Sequence, residues 1–97
     1  MGMSMNINVE VKIPPLLGKL VGGASTIRSQ GETLRHLLEN LDKQFPGFKW
    51  HIVSKQGKLH DYIIIFLNEE DIHYLNQLET PLKNGDVINI LVVLSGG

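Results

Sequence analysis

From Asn6 to Ile13 the chain alternates strictly: Ile7, Val9, Val11 and Ile13 interleave with Asn6, Asn8, Glu10 and Lys12. A period of two sends every second side chain to one face, so the pattern predicts a strand with one buried side. Pro14-Pro15 ends it, because proline has no N–H for the ladder. A glycine-bearing loop follows, with Gly18, Gly22 and Gly23. A second short strand over Thr26–Ser29 is expected to return beside the first as a long-looped hairpin. The period then changes. Leu34, Leu37, Leu38, Leu41 and Phe45 lie on one stripe at helical spacing and predict a helix over Thr33–Gln44. Thr33 is its N-cap candidate, since a hydroxyl can accept from an unpaired first-turn N–H. Pro46-Gly47 is its stop.

Residues 48–61 read as a polar, basic loop with a turn at Gly57. Tyr62–Leu67 is a β-rich run. Asn68-Glu69-Glu70-Asp71 reads as a capped helical turn, with acids suited to a helix N-terminus. Asn84-Gly85-Asp86 is a turn signal, and Val87–Leu94 is the last strand. The order predicts a single α+β domain over residues 1–97, with one main helix laid on a mixed sheet.

The last strand is nearly all apolar, as a central strand is. With Asn89 toward solvent, Ile88, Ile90 and Val92 face the helix, while Leu91 and Val93 face outward. The Tyr62–Leu67 run is apolar on both faces. One helix of this length covers one side of a sheet. Some of Tyr62, Ile64, Phe66, Leu91 and Val93 are therefore expected to form an exposed apolar surface, the usual mark of a partner site. The alternative is that residues 48–61 fold over it.

Composition narrows the chemistry. The chain has 97 residues, 9 Lys+Arg against 10 Asp+Glu, and no cysteine. Disulfides, thiolate metal sites and thiol nucleophiles are excluded. The balanced charge argues against nucleic acid or an anionic membrane as partner. The longest apolar run is far too short to span a bilayer. Met1 to Met5 show neither a charged n-region nor an apolar stretch, and position 6 is Asn rather than the Ser or Thr of a myristoylation signal. A cytoplasmic protein is expected.

Candidate catalytic groups are weak. His36, His51, His60 and His73 match no zinc-finger or metalloprotease spacing. Gly22-Gly23-Ala24-Ser25-Thr26 lacks the Gly-Lys-Ser/Thr ending of a phosphate loop. Ser25 and Ser54 have no nucleophile setting. Glu69-Glu70-Asp71 suits a solvated helix start, and Lys49, Lys55 and Lys58 beside Trp50 suit a solvated loop. No catalytic residue, metal site or cofactor is predicted.

The tail carries more information. An apolar strand runs straight into Ser95-Gly96-Gly97. Glycine has no Cβ, so such a tail can thread a channel too narrow for other residues. Four residues from Leu94 extend about 13 Å at roughly 3.3 Å each, enough to set a carboxylate deep inside a partner. A carboxylate is a poor electrophile. ATP can convert it to a mixed anhydride with AMP, and a sulfur nucleophile can displace AMP to leave a thiocarboxylate.

Taken together, Gly31-x-Thr33-Leu34, Gly57-Lys58-Leu59-His60, Leu67-Asn68-Glu69-Glu70-Asp71-Ile72, Thr80-Pro81-Leu82, Asn84-Gly85-Asp86-Val87 and the Gly96-Gly97 end give a chain that resembles the ubiquitin-like sulfur carriers. That group holds the molybdopterin synthase small subunit and the thiamine sulfur carrier. The pattern is most similar to the carrier of thiocarboxylate-dependent cysteine synthesis. The resemblance implies a β-grasp fold and activation at Gly97, with Gly96 needed for access. It also implies two partners: an ATP-dependent adenylyltransferase of the ubiquitin-activating type, and a sulfur-accepting biosynthetic enzyme. The tail departs from the family's Pro-x-Val-Ala, reading Val92-Val93-Leu94-Ser95. The chain also exceeds typical thiamine carriers, mainly through residues 14–25 and 48–61. A sulfur carrier is the leading expectation. The others are a protein modifier joined through Gly97 to lysines, a molybdopterin synthase small subunit, and an interaction domain whose terminal glycines are incidental.

Overall fold

The computed structural model describes residues 7–94. Five strands form one mixed sheet: β1 (Asn8–Lys12), β2 (Thr26–Gln30), β3 (Ile63–Leu67), β4 (Glu70–Asp71) and β5 (Val87–Val92), ordered β2-β1-β5-β3-β4. β5 is central, parallel to β1 and antiparallel to β3. β1 and β2 form the antiparallel hairpin expected from their patterns, with Val9 opposite Ser29 and Val11 opposite Ile27.

Helix α1 (Leu34–Gln44) lies on one face of the sheet. Its stripe of Leu34, Leu37, Leu38 and Leu41 shares a single buried cluster with Val9, Val11, Ile88 and Ile90. Each such side chain contributes about 1.5–3 kcal/mol relative to exposure. Thr33 caps α1 as predicted: its Oγ1 accepts from the His36 N–H at 3.2 Å. Gly31 precedes the cap for a steric reason. A Cβ there would stand 2.6 Å from the Leu37 backbone nitrogen.

Three segments differ from the sequence reading. The 14–25 loop contains a 3₁₀ turn, Pro15–Val21, that buries Leu17 and Val21. The 48–61 segment is not simply a polar loop. It opens with a second helix, α2 (Phe48–Ile52), whose Phe48 and Ile52 are fully buried. The segment therefore anchors in the core and leaves Tyr62, Leu91 and Val93 exposed on the outer face. Asn68-Glu69-Glu70-Asp71 is not a helical turn. Asn68, at φ 59°, starts a tight turn, and Glu70-Asp71 pairs back against β3. Asparagine tolerates this left-handed conformation better than most residues. A 3₁₀ turn begins only at Ile72, where Asp71 Oδ1 accepts from the His73 N–H at 2.8 Å. Asn6 and the Gly96-Gly97 tail lie outside the described residues.

Candidate functional site

The residues that carry the resemblance are mostly brought together to fix β5 and α1. Asn68 N–H donates to the Val87 carbonyl at 2.7 Å, and Asn68 Oδ1 accepts from the Val87 N–H at 3.0 Å. Asn68 Nδ2 donates to Asp86 Oδ1 at 3.2 Å, while Asp86 Oδ2 accepts from the Lys83 N–H at 2.8 Å. Gly85, at φ 92°, donates to the Asn8 carbonyl at 2.8 Å. This clamp starts β5 in register between β1 and β3.

At the α1 end, Thr80 is buried with its hydroxyl satisfied: it donates to the Gln77 carbonyl at 2.7 Å and accepts from the Asn76 N–H at 3.1 Å. The Thr80 carbonyl accepts from Leu34 N–H at 3.2 Å, and Leu82 N–H donates to the Glu32 carbonyl at 2.9 Å. In Gly57-Lys58-Leu59-His60, Gly57 has φ 80°, and the Lys58 carbonyl accepts from Ser54 N–H at 2.8 Å. These motifs hold a frame.

The frame presents two things: an outer face and the end of β5. Register places Phe66 beside Asn89 and Ile64 beside Leu91. The next step is Tyr62 with Val93, joined by a 2.8 Å bond from the Val93 N–H to the Tyr62 carbonyl. All five residues expected to form the apolar surface thus share one face of two adjacent strands. Tyr62 is 45 %, Val93 45 % and Leu91 38 % exposed; Ile64 and Phe66 are half-buried. Leu94 is 72 % exposed and leads toward Ser95, Gly96 and Gly97. The apolar strip therefore ends where the tail begins.

The histidines are dispersed. His36 Nδ1 accepts from the Glu32 N–H at 3.2 Å, His51 is exposed, and His73 meets Tyr74 edge-on. Among the described residues no group of three or more His, Cys, Asp and Glu side chains is placed to hold a metal ion. No helix among them is long and apolar enough to cross a membrane. Ser54 Oγ accepts from the Gln56 N–H at 3.3 Å, inside a turn.

The sequence reading missed α2 as an element. Asp42 Oδ1 accepts from the N–H groups of both Gly47 and Lys49, at 3.0 and 3.1 Å, and pins the helix to α1. Phe48 and Ile52, four residues apart, were the available signal. α2 turns Trp50 outward, 53 % exposed.

A family model described as "ThiS family" matches residues 11–97. The chain belongs to the ThiS family. This ThiS-family chain is 32 % identical over 93 residues to the sulfur carrier protein CysO of Mycobacterium tuberculosis, covering 94 % of the one and all of the other. Its fold is similar to the crystal structure of the Amycolatopsis orientalis BexX/CysO complex, with a TM-score of 0.85 and 31 % identity over 92 % of this chain and 99 % of that one. It is also similar to the solution structure of small archaeal modifier protein 1 from Methanosarcina acetivorans. There the TM-score is 0.79 and the identity 30 %, over 97 % of this chain and all of that one. The α+β architecture is the ubiquitin-like β-grasp, as the resemblance implied.

Proposed function

We propose that this protein is a sulfur carrier activated at Gly97. One observation carries the proposal: the central strand β5 runs along an exposed apolar strip, and in the sequence it is followed by Ser95-Gly96-Gly97. Similarity to CysO supports it. The protein supplies a docking face and a carbonyl, and its partner supplies the catalysis. An ATP-dependent adenylyltransferase docks on Tyr62, Ile64, Phe66, Leu91 and Val93 and threads the tail into its active site, with Gly96 giving access. A Gly97 carboxylate oxygen attacks the α-phosphorus of ATP, pyrophosphate leaves, and an acyl-adenylate forms. A hydrosulfide equivalent then attacks the carbonyl carbon and expels AMP, leaving a thiocarboxylate for a sulfur-accepting biosynthetic enzyme. The cytoplasm, where ATP is plentiful, is the compartment this chemistry requires.

Deleting Gly97 tests the proposal. The carboxylate would then stop about 3.3 Å short, and in-line attack needs reacting atoms within about 3–3.5 Å. ATP–pyrophosphate exchange by the cognate adenylyltransferase should be abolished, with the melting temperature unchanged. Exchange at the wild-type rate would overturn the carrier mechanism.

A second reading, a protein modifier conjugated through Gly97, is favoured by the similarity to small archaeal modifier protein 1. Intact mass separates the two. A carrier gains the difference between sulfur and oxygen, whereas a modifier appears as a covalent adduct of two whole chains.

A further inference from the structure

Beside the strip, α2 and the turn after it form a separate feature. Trp50, Val53, Ser54, Lys55 and His60 line a notch of about 570 Å³. His60 joins this notch to the strip. Its Nε2 donates to the Trp50 carbonyl at 2.9 Å, and its ring stacks on Tyr62 with centroids 4.9 Å apart and planes 7° from parallel. Tyr62 in turn bonds Val93 through its carbonyl. A run from Trp50 through His60 and Tyr62 therefore reaches Val93, two residues before Ser95 in the sequence.

The notch also has a charge signature. Lys55 lines it, Lys58 stands on the same turn, its carbonyl bonded to the Ser54 N–H, and no acidic residue occurs between Phe48 and His60, Asp61 being the next. Lys49 Nζ sits 5.0 Å from the centre of the Trp50 ring, so a cation stands over the aromatic wall. An exposed tryptophan with one lysine over its ring and another at the edge of the depression beside it complements an apolar side chain flanked by carboxylates. Tryptophan is, with tyrosine and arginine, enriched among the few side chains that dominate interface energy.

We propose that the Trp50 notch is a second anchoring site for the adenylyltransferase that takes up the tail, receiving an apolar side chain carried on an acidic segment of that enzyme. This rests on the reading of Gly97 as the activated residue. It adds a contact that governs affinity and leaves the chemistry at Gly97 untouched.

The test is ATP–pyrophosphate exchange with the full-length carrier as varied substrate, run with wild type, the Gly97 deletion, Trp50→Ala and the triple variant Lys49→Glu/Lys55→Glu/Lys58→Glu. Trp50→Ala should raise KM for the carrier about tenfold or more, with kcat changed less than about twofold, as loss of one interface anchor does. The triple variant should raise KM similarly at low salt, and its deficit should shrink toward 1 M salt, where the screening length falls to about 3 Å. Because Trp50 is the only tryptophan, 5-fluorotryptophan labelling gives one ¹⁹F resonance. It should move when the adenylyltransferase is added. If wild type supports exchange and the Gly97 deletion does not, yet both notch variants keep the wild-type KM, the notch proposal falls alone. It also falls if the resonance moves with carrier concentration in the absence of enzyme, which would make a second copy the occupant. Should Trp50→Ala fail to fold, the surface-charge triple and the ¹⁹F shift still decide the matter. Failure of wild type to support exchange overturns both proposals.

Discussion

The outer face of the sheet has two unlike halves. On β1 and β2 the outward positions are Asn8, Glu10, Lys12, Thr26, Arg28 and Gln30. On β3 and β5 they are chiefly Ile64, Phe66 and Leu91, broken by Asn89 and continued by Tyr62 and Val93 just past the strand ends. The inner faces do not differ in this way: Val9, Val11, Ile63, Ile65, Ile88 and Ile90 are all buried beneath the helices. One side of this sheet needs apolar residues to fold, and β1 with β2 show that the other side does not. Packing against α1, on the opposite face, therefore does not account for the apolar half of the outer face. The docking proposed above supplies a reason: a partner that gripped Leu91 and Val93 would hold the chain two residues before Ser95.

The inner-to-outer difference breaks most visibly at Leu38. It is 2 % exposed in the core cluster, so Leu38→Ala leaves a cavity and should cost about 2–5 kcal/mol. Urea denaturation measures the loss. A cost under about 1 kcal/mol, as at exposed sites, would mean that the leucine stripe does not carry the fold. The outward position Leu91 should behave oppositely. Leu91→Asp should change stability by about 1 kcal/mol or less, the span of strand propensity, yet lower kcat/KM for the carrier in exchange about tenfold. Unchanged exchange with Leu91→Asp and Phe66→Asp alike would remove the docking role of the apolar half.

Most of this frame could be read in advance because alternation and helical spacing are local signals. β1 and α1 each bury one face, and their apolar residues mark that face directly. Parity from Asn89 was enough to sort Ile88 and Ile90 from Leu91 and Val93. What escaped depended on partners distant in sequence. The character of Asn68 as a turn residue follows from its bonds to Asp86 and Val87, which no window around residue 68 contains. α2 was hidden because five residues make a weak period, and because Lys49, Trp50 and His51 mask the spacing of Phe48 and Ile52. The site divided in the same way. The strip was legible from two strands with too many apolar residues, whereas the Trp50 notch exists only once α2 turns that ring outward.

The smallest effects are expected on the polar half, and they sharpen the contrast from its other side. Glu10 and Arg28 stand directly opposite each other in the β1–β2 register. A cross-strand pair of opposite charges contributes roughly 0.2–1 kcal/mol, and like charges in that arrangement repel. Arg28→Glu alone should therefore lower stability by that amount, and the exchanged pair Glu10→Arg/Arg28→Glu should recover most of it. Neither variant touches the strip, the tail or the inner face, so ATP–pyrophosphate exchange should remain within about twofold of wild type, the scatter usual for contacts outside an interface core. The melting temperature and the exchange rate would then separate on this half as they do on the other, in reverse: stability moves slightly and activity stays. If Arg28→Glu reduced exchange as far as Leu91→Asp does, the partner would be reading charge across the whole face, and the apolar strip would lose its special status.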